Sequence, residues 1–238
     1  ALQVAQQMSD YLLTGAVTNA LNMPSVTAKE AKVMRPWLKL AGHLGSFIGQ
    51  LTDEPVKAVN ILYDGSLSTM NIEALNCSVI AGILQNAIPY VNLVSAPFIA
   101  RERGIKISTT NQDKSGTFEG YVKVNVVTEE RERSIAGTVF SDGKPRFIQI
   151  KGINIDAEIG HHMLYTTNKD APGVIGTLGQ IMGSNGVNIA NFTLGRAREG
   201  GEAIALLYLD HPVDEKVVKQ LSSTGVFQQI KPLEFDAN

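Results

Sequence analysis

Apolar and polar positions along the last third of the chain change period in a regular order. Residues 164–167 (LYTT) alternate and are rich in residues that suit a pleated surface, which predicts a strand. Residues 168–173 (NKDAPG) are dense turn chemistry, with Asp170 expected as a helix N-cap and Pro172 in the first turn. Val174, Leu178, Ile181 and Met182 then recur on one helical face, and Asn185-Gly186 closes that helix. Residues 187–194 (VNIANFTL) predict a second strand, and 197–202 (AREGGE) a hairpin loop in which Gly200 and Gly201 supply positive φ. Residues 203–209 (AIALLYL) are almost wholly apolar, as a central strand would be. Val213, Val217, Val218 and Leu221 share one side of a second helix. Its acids, Asp214 and Glu215, come early and Lys216 and Lys219 late, an order that suits the helix dipole. A last strand, 228–235, contains Pro232 and so belongs at an edge. The order is βαββαβ, a ferredoxin-like sandwich.

Upstream the pattern is mixed. Residues 1–22 read as a helix with Leu2, Ala5, Met8, Leu12 and Leu13 on one side, followed by a linker at 22–25. Thr27-Ala28-Lys29-Glu30 has the form of a capping box. Pro36 is expected to start a fresh helix, striped by Trp37, Leu38, Ala41, Leu44, Ile48 and Leu51. A strand at 56–63 closes on Asp64-Gly65, and helices follow at 72–87 and 96–103. From 105 onward the reading is strands: 105–109, 117–128, 133–141 and, after the Asp142-Gly143 turn, 146–155. Residues 27–158 thus form an α/β domain with a largely antiparallel sheet, and the chain as a whole is α/β (α+β). It opens on Ala1, inside a helical pattern, so it is expected to be a fragment of a longer protein.

Composition narrows the function classes. A net charge of −2 over 238 residues provides no broad basic field for nucleic acid. No apolar run reaches membrane-spanning length and no signal peptide opens the chain. The lone Cys77 rules out an intrachain disulfide framework and suits a small buried residue in a reducing, cytoplasmic setting. No nucleic-acid or membrane partner is expected.

Two stretches carry a family resemblance. N-x-D-x-P-G at 168–173, a helix, then G-V-N-I at 186–189 resemble the ACT domain, a small amino-acid-sensing module. ALQVAQQMSDYLLTGAVTNA, followed by LNMPSV at 21–26, resembles the last catalytic-lobe helix and exit linker of the long-form D-3-phosphoglycerate dehydrogenases. The resemblance implies three parts: 1–26 from the catalytic region, 27–158 as the intervening domain, and 159–238 as the ACT domain. It also implies a regulatory and oligomerisation role, a dimer or tetramer, and feedback sensing of L-serine or a related small amino acid. NAD belongs to the parent enzyme. Its catalytic Arg, Glu and His lie upstream of the linker, so no catalytic residue and no cofactor are expected here. The residues agree, because no strand–GxGxxG–helix unit with a following acid is present. Gly173, Gly176 and Gly179 are expected to allow close helix–sheet packing.

The expected effector site is the turn before the ACT helix. The N–H groups at Gly173 and Val174 suit a carboxylate. Asp170 and Asn168 suit an ammonium or hydroxyl, and Asn188 suits a serine-like polar end. The resemblance points to Asn168, Asp170 and Asn188 as effector contacts. A plainer reading stays open, in which Asp170 caps the helix, Asn168 makes an Asx-turn and Asn188 satisfies buried backbone. The family's second anion site maps to Arg146 and Glu158, of which Arg146 is an anion contact and Glu158 would repel. No metal site is expected. The adjacent His161 and His162 would point to opposite faces of a strand, and His43 and His211 have no ligand neighbours at useful spacing.

Overall fold

The computed structural model describes residues 2–14, 28–114 and 116–236. The linker at 22–25 and the start of the capping box at Thr27 lie outside them. The chain forms two compact units, Ala1–Pro145 and Arg146–Asn238.

The first unit opens on α1 (Leu2–Thr14) and α2 (Ala28–Leu51). Pro36 sits inside α2 and does not start it. A proline ring removes one backbone bond to the residue four positions back. Here that residue is Lys32, on the exposed side of the helix. Next come β1 (Ala58–Gly65), a 3-10 turn at Ser66–Thr69, α3 (Ile72–Gln85) and α4 (Ala96–Glu102). The strands β2 (Lys106–Gln112), β3 (Gly120–Val127) and β4 (Glu132–Val139) follow. Their order within the unit is β2-β1-β3-β4. The α3–α4 crossover makes β1 and β2 parallel, and the other pairs are antiparallel. The helical layer is close-packed through glycine. A Cβ on Gly82 would lie 2.3 Å from the Gly42 carbonyl oxygen, and one on Gly45 would lie 2.1 Å from that of Val79. Backbone therefore meets backbone where α2 crosses α3. Cys77 is only half-buried, with burial and then Glu73 pushing its thiol pKa up.

The second unit begins with a hairpin, β5 (Pro145–Ile150) and β6 (Ile153–Glu158). The single strand expected over 146–155 is broken at Lys151-Gly152. Both residues take positive φ, 52° and 78°, as a two-residue hairpin turn requires. Lysine rarely adopts that conformation, so composition alone does not announce the turn. The ACT order follows: β7 (His162–Lys169), α5 (Val174–Ser184), β8 (Ile189–Arg196), β9 (Glu202–Leu209), α6 (Glu215–Ser223) and β10 (Phe227–Glu234). The four strands form an antiparallel sheet in the order β10-β7-β9-β8. The expected ferredoxin-like βαββαβ fold is present, with apolar 203–209 central and the Pro232 strand at an edge. Leu164, Leu178, Ile181, Met182, Ala205, Leu207, Val217 and Leu221 form the core between sheet and helices. Gly176 and Gly179 face outward, and a Cβ on either meets nothing within 4 Å. They do not serve helix–sheet packing.

Candidate functional site

The turn between β7 and α5 is built from residues of three kinds. Asn168 occupies the last inward position of β7 and is 2% exposed. By strand alternation it shares the helix-facing side with Leu164 and Thr166. Its Nδ2 donates to the Lys169 carbonyl at 2.8 Å. Its Oδ1 and the Thr166 Oγ1 are buried and, among the described residues, without a hydrogen-bond partner. Leaving such a buried atom unmatched costs about 1–3 kcal/mol. Two of them lie two residues apart, at the end of β7 that feeds α5.

Gly173 forms the helix N-cap itself, in the left-handed region at φ 90°, and no side chain caps the helix. The first-turn N–H groups of an α-helix have no partner within the helix. Gly173 is exposed, whereas the Val174 side chain is buried in the core. Hence the turn presents uncapped amides and positive helix-end potential, and the unmatched Asn168 Oδ1 lies buried at the end of the strand that leads into it.

Asp170 is not the helix cap. Its Oδ2 accepts from Arg196 Nη1 at 2.9 Å and from the Gly200 N–H at 3.1 Å, while its own N–H donates to the Gly201 carbonyl at 2.8 Å. These bonds fasten the turn to the β8–β9 hairpin. The bond from Arg196, then that from Gly200, holds the Asp170 carboxyl below its ordinary value. The sequence reading missed Arg196. Its only signal was a single cation at the end of a strand with no other charge, and the register that brings it 26 residues back to Asp170 is not visible locally.

Asn188 does not join the turn within one chain. It is exposed, precedes β8 and donates through Nδ2 to Asp210 Oδ2 at 2.7 Å, so it does not satisfy buried backbone either. Ile189 pairs with Leu209, and Leu209 with His162. Asn188 therefore lies at the His162 end of the sheet, about 20 Å from Asn168 at a strand rise of about 3.3 Å per residue.

Arg146 stands opposite Glu158 across the β5–β6 hairpin, with its Nη1 3.5 Å from Asp156 Oδ1. With Asp156 beside the guanidinium and Glu158 as its cross-strand neighbour, negative charge at this position disfavours an incoming anion. The two adjacent histidines are not splayed apart as strand alternation predicted. His161 precedes the strand, and its ring centroid lies 4.1 Å from that of His162.

Known proteins share both units. Residues 33–151 match the D-3-phosphoglycerate dehydrogenase intervening domain and residues 162–225 match the ACT domain. A D-3-phosphoglycerate dehydrogenase of Bacillus subtilis (strain 168) is 32% identical over 97% of this chain and 45% of its own length. One from Synechocystis is 32% identical over 94% of this chain and 41% of its own, and one from Methanocaldococcus jannaschii 29% over 92% and 41%. The chain thus spans less than half the length of these curated relatives. With its intervening domain followed by an ACT domain, the chain belongs to the D-3-phosphoglycerate dehydrogenase family, as a C-terminal regulatory part.

Proposed function

We propose that this region senses a small amino acid, L-serine first, and that the amino acid restrains the parent enzyme. The parent is an NAD-dependent, cytoplasmic D-3-phosphoglycerate dehydrogenase of serine biosynthesis that works as a homo-oligomer. The observation that carries the reading is one turn, 168–173, that joins a buried unmatched Asn168 Oδ1 to the uncapped start of α5. A zwitterion offers what each lacks. Its carboxylate takes the N–H groups of Gly173 and Val174. Its ammonium, or the serine hydroxyl, donates to Asn168. Asp170 braces the turn against Arg196 and completes the polar wall. Asn188 contributes from a second chain, because within one chain it is too far away. Binding then biases how the copies associate and so couples to the distant catalytic part.

A second reading, an oligomerisation scaffold without effector, draws on Asp170 and Asn188 being already matched, by Arg196 and Asp210. Calorimetric titration with L-serine, glycine and D-serine separates the two. L-serine is expected to bind and D-serine to bind worse, because inversion moves its hydroxyl off the partner. Asn188→Ala removes only an exposed bond, so the fold survives. A hydrogen bond to a charged group contributes roughly 1.5–3 kcal/mol, so binding should weaken about tenfold or more. If millimolar L-serine neither releases heat nor raises the melting temperature, the scaffold reading stands.

A further inference from the structure

A cluster at the opposite end of β7 is not used by the effector reading. His162 opens β7 and stands directly opposite Glu234 across the β7–β10 ladder. Directly opposed residues of an antiparallel pair project to one face, with Cβ atoms about 5 Å apart. His161 lies one residue ahead of the strand, outside its alternation, and its ring turns onto that of His162.

His161 is held from two directions. Its carbonyl accepts from the Phe235 N–H at 2.9 Å, and its Nδ1 is hydrogen-bonded to the Phe235 carbonyl. A carbonyl oxygen can only accept, so Nδ1 carries the proton. In this tautomer the lone pair that a metal takes is on Nε2. Nε2 lies 3.5 Å from Glu234 Oε1, and one ligand atom from each of His161, His162 and Glu234 lies within 4.8 Å of the other two. A tetrahedral zinc ion with bonds of about 2.0–2.2 Å sets neighbouring ligand atoms about 3.3–3.6 Å apart. The His161–Glu234 pair already has that spacing, and small side-chain rotations bring in His162.

We propose that His161, His162 and Glu234 bind one divalent transition-metal ion of the zinc class. The ligands are His161 Nε2, an imidazole nitrogen of His162 and a Glu234 carboxylate oxygen, and water completes the tetrahedron. Two imidazoles with one carboxylate select zinc, cobalt or nickel over magnesium or calcium. The Phe235 carbonyl is the outer partner that fixes the His161 tautomer, as such partners do at metal sites. The His161 and Glu234 side chains are 40% and 70% exposed, so an ion reaches them from solvent. Bound there, it ties the end of the edge strand β10 to the start of the central strand β7.

The test uses the untagged 238-residue chain, stripped with a chelator. It is titrated with Zn²⁺ and Mg²⁺ by calorimetry and with Co²⁺ by absorption spectroscopy. One Zn²⁺ per chain, little heat from Mg²⁺ and the visible bands of four-coordinate Co²⁺ with nitrogen and oxygen ligands are expected. Zn²⁺ should also raise the melting temperature. His162→Ala and Glu234→Gln should each weaken Zn²⁺ binding at least tenfold, with the metal-free melting temperature near that of the parent. Cys77→Ser, in the first unit, should leave binding unchanged. Unchanged Zn²⁺ binding in both ligand variants overturns the assignment, as does absence of Zn²⁺ heat, and either leaves a His161–Glu234 ion pair only. A sulfur-to-cobalt charge-transfer band would place the ion at Cys77 and also overturn it. Should a variant fail to fold, the cobalt spectrum of the parent chain decides, since six-coordinate bands are the contrary result.

Discussion

Asp170 shows how a side chain at a candidate site can be taken up by the fold. It is bonded to Arg196 and to the Gly200 amide, and its negative charge strengthens both contacts. Its carboxyl is held below the ordinary value by the Arg196 bond first and the Gly200 bond second. A depressed native pKa gives stability that is fully present above the unfolded pKa and is lost as pH falls through the folded one. Asp170→Asn should therefore melt below the parent chain at neutral pH. The gap should close on acidification below about pH 4, the ordinary carboxylate range. Melting curves of the two proteins across pH check this, and a gap that persists in acid means the amide had perturbed something other than the charge. Local turn chemistry put Asp170 at the turn but gave it the wrong partner. The nearest helix amide is the obvious donor to its carboxylate, and the true donors lie across a hairpin whose register only the folded sheet defines.

Among the elements, glycine separates two kinds of helix. Where α2 meets α3, Gly82 lies against the Gly42 carbonyl and the Ser46 amide, with no side chain between. Backbone cannot yield as a side-chain tip does. Gly82→Ala should cost about 1–3 kcal/mol or more through overpacking, and each kcal/mol lowers the melting temperature by about 2–4 °C for a chain of this size. Gly179→Ala, on the bare outer face of α5, should instead stabilise by about 0.4–1 kcal/mol through the unfolded chain. Paired thermal melts decide both signs. The sequence held the same residue at both places, and nothing local distinguishes them. What was legible was period: the 3.6-residue stripe of Val174, Leu178, Ile181 and Met182, the continuous apolar run of the central strand and the edge-marking Pro232. What was not legible depended on a single backbone state, such as the positive φ of Lys151, or on tolerance, such as Pro36 beside an exposed turn. The candidate site divides in the same way. Asn168, Gly173 and Val174 are neighbours in sequence and meet at one turn, whereas Asn188 and the His161–Glu234 pairing required the sheet's strand order to place them.

For the whole molecule, the ACT sheet ends on two unlike strands. β10 carries Lys231, Pro232 and Glu234, which discourage further pairing, whereas β8 has no charge before Arg196 and leaves Leu194 38% exposed. Pairing β8 with its copy about a two-fold axis would cover that edge. Light scattering should accordingly give the mass of at least two chains, and a strictly monomeric mass at high concentration would remove the basis for shared sites. The distance between Asn168 and Asn188 then has a consequence for dosage. One chain cannot close both asparagines on a single small molecule, so a pocket that uses both exists only while two chains are joined. Such a pocket vanishes on dilution even when its effector is held constant. The cell's response to the amino acid would then track how much of the protein it has made as well as how much amino acid is present.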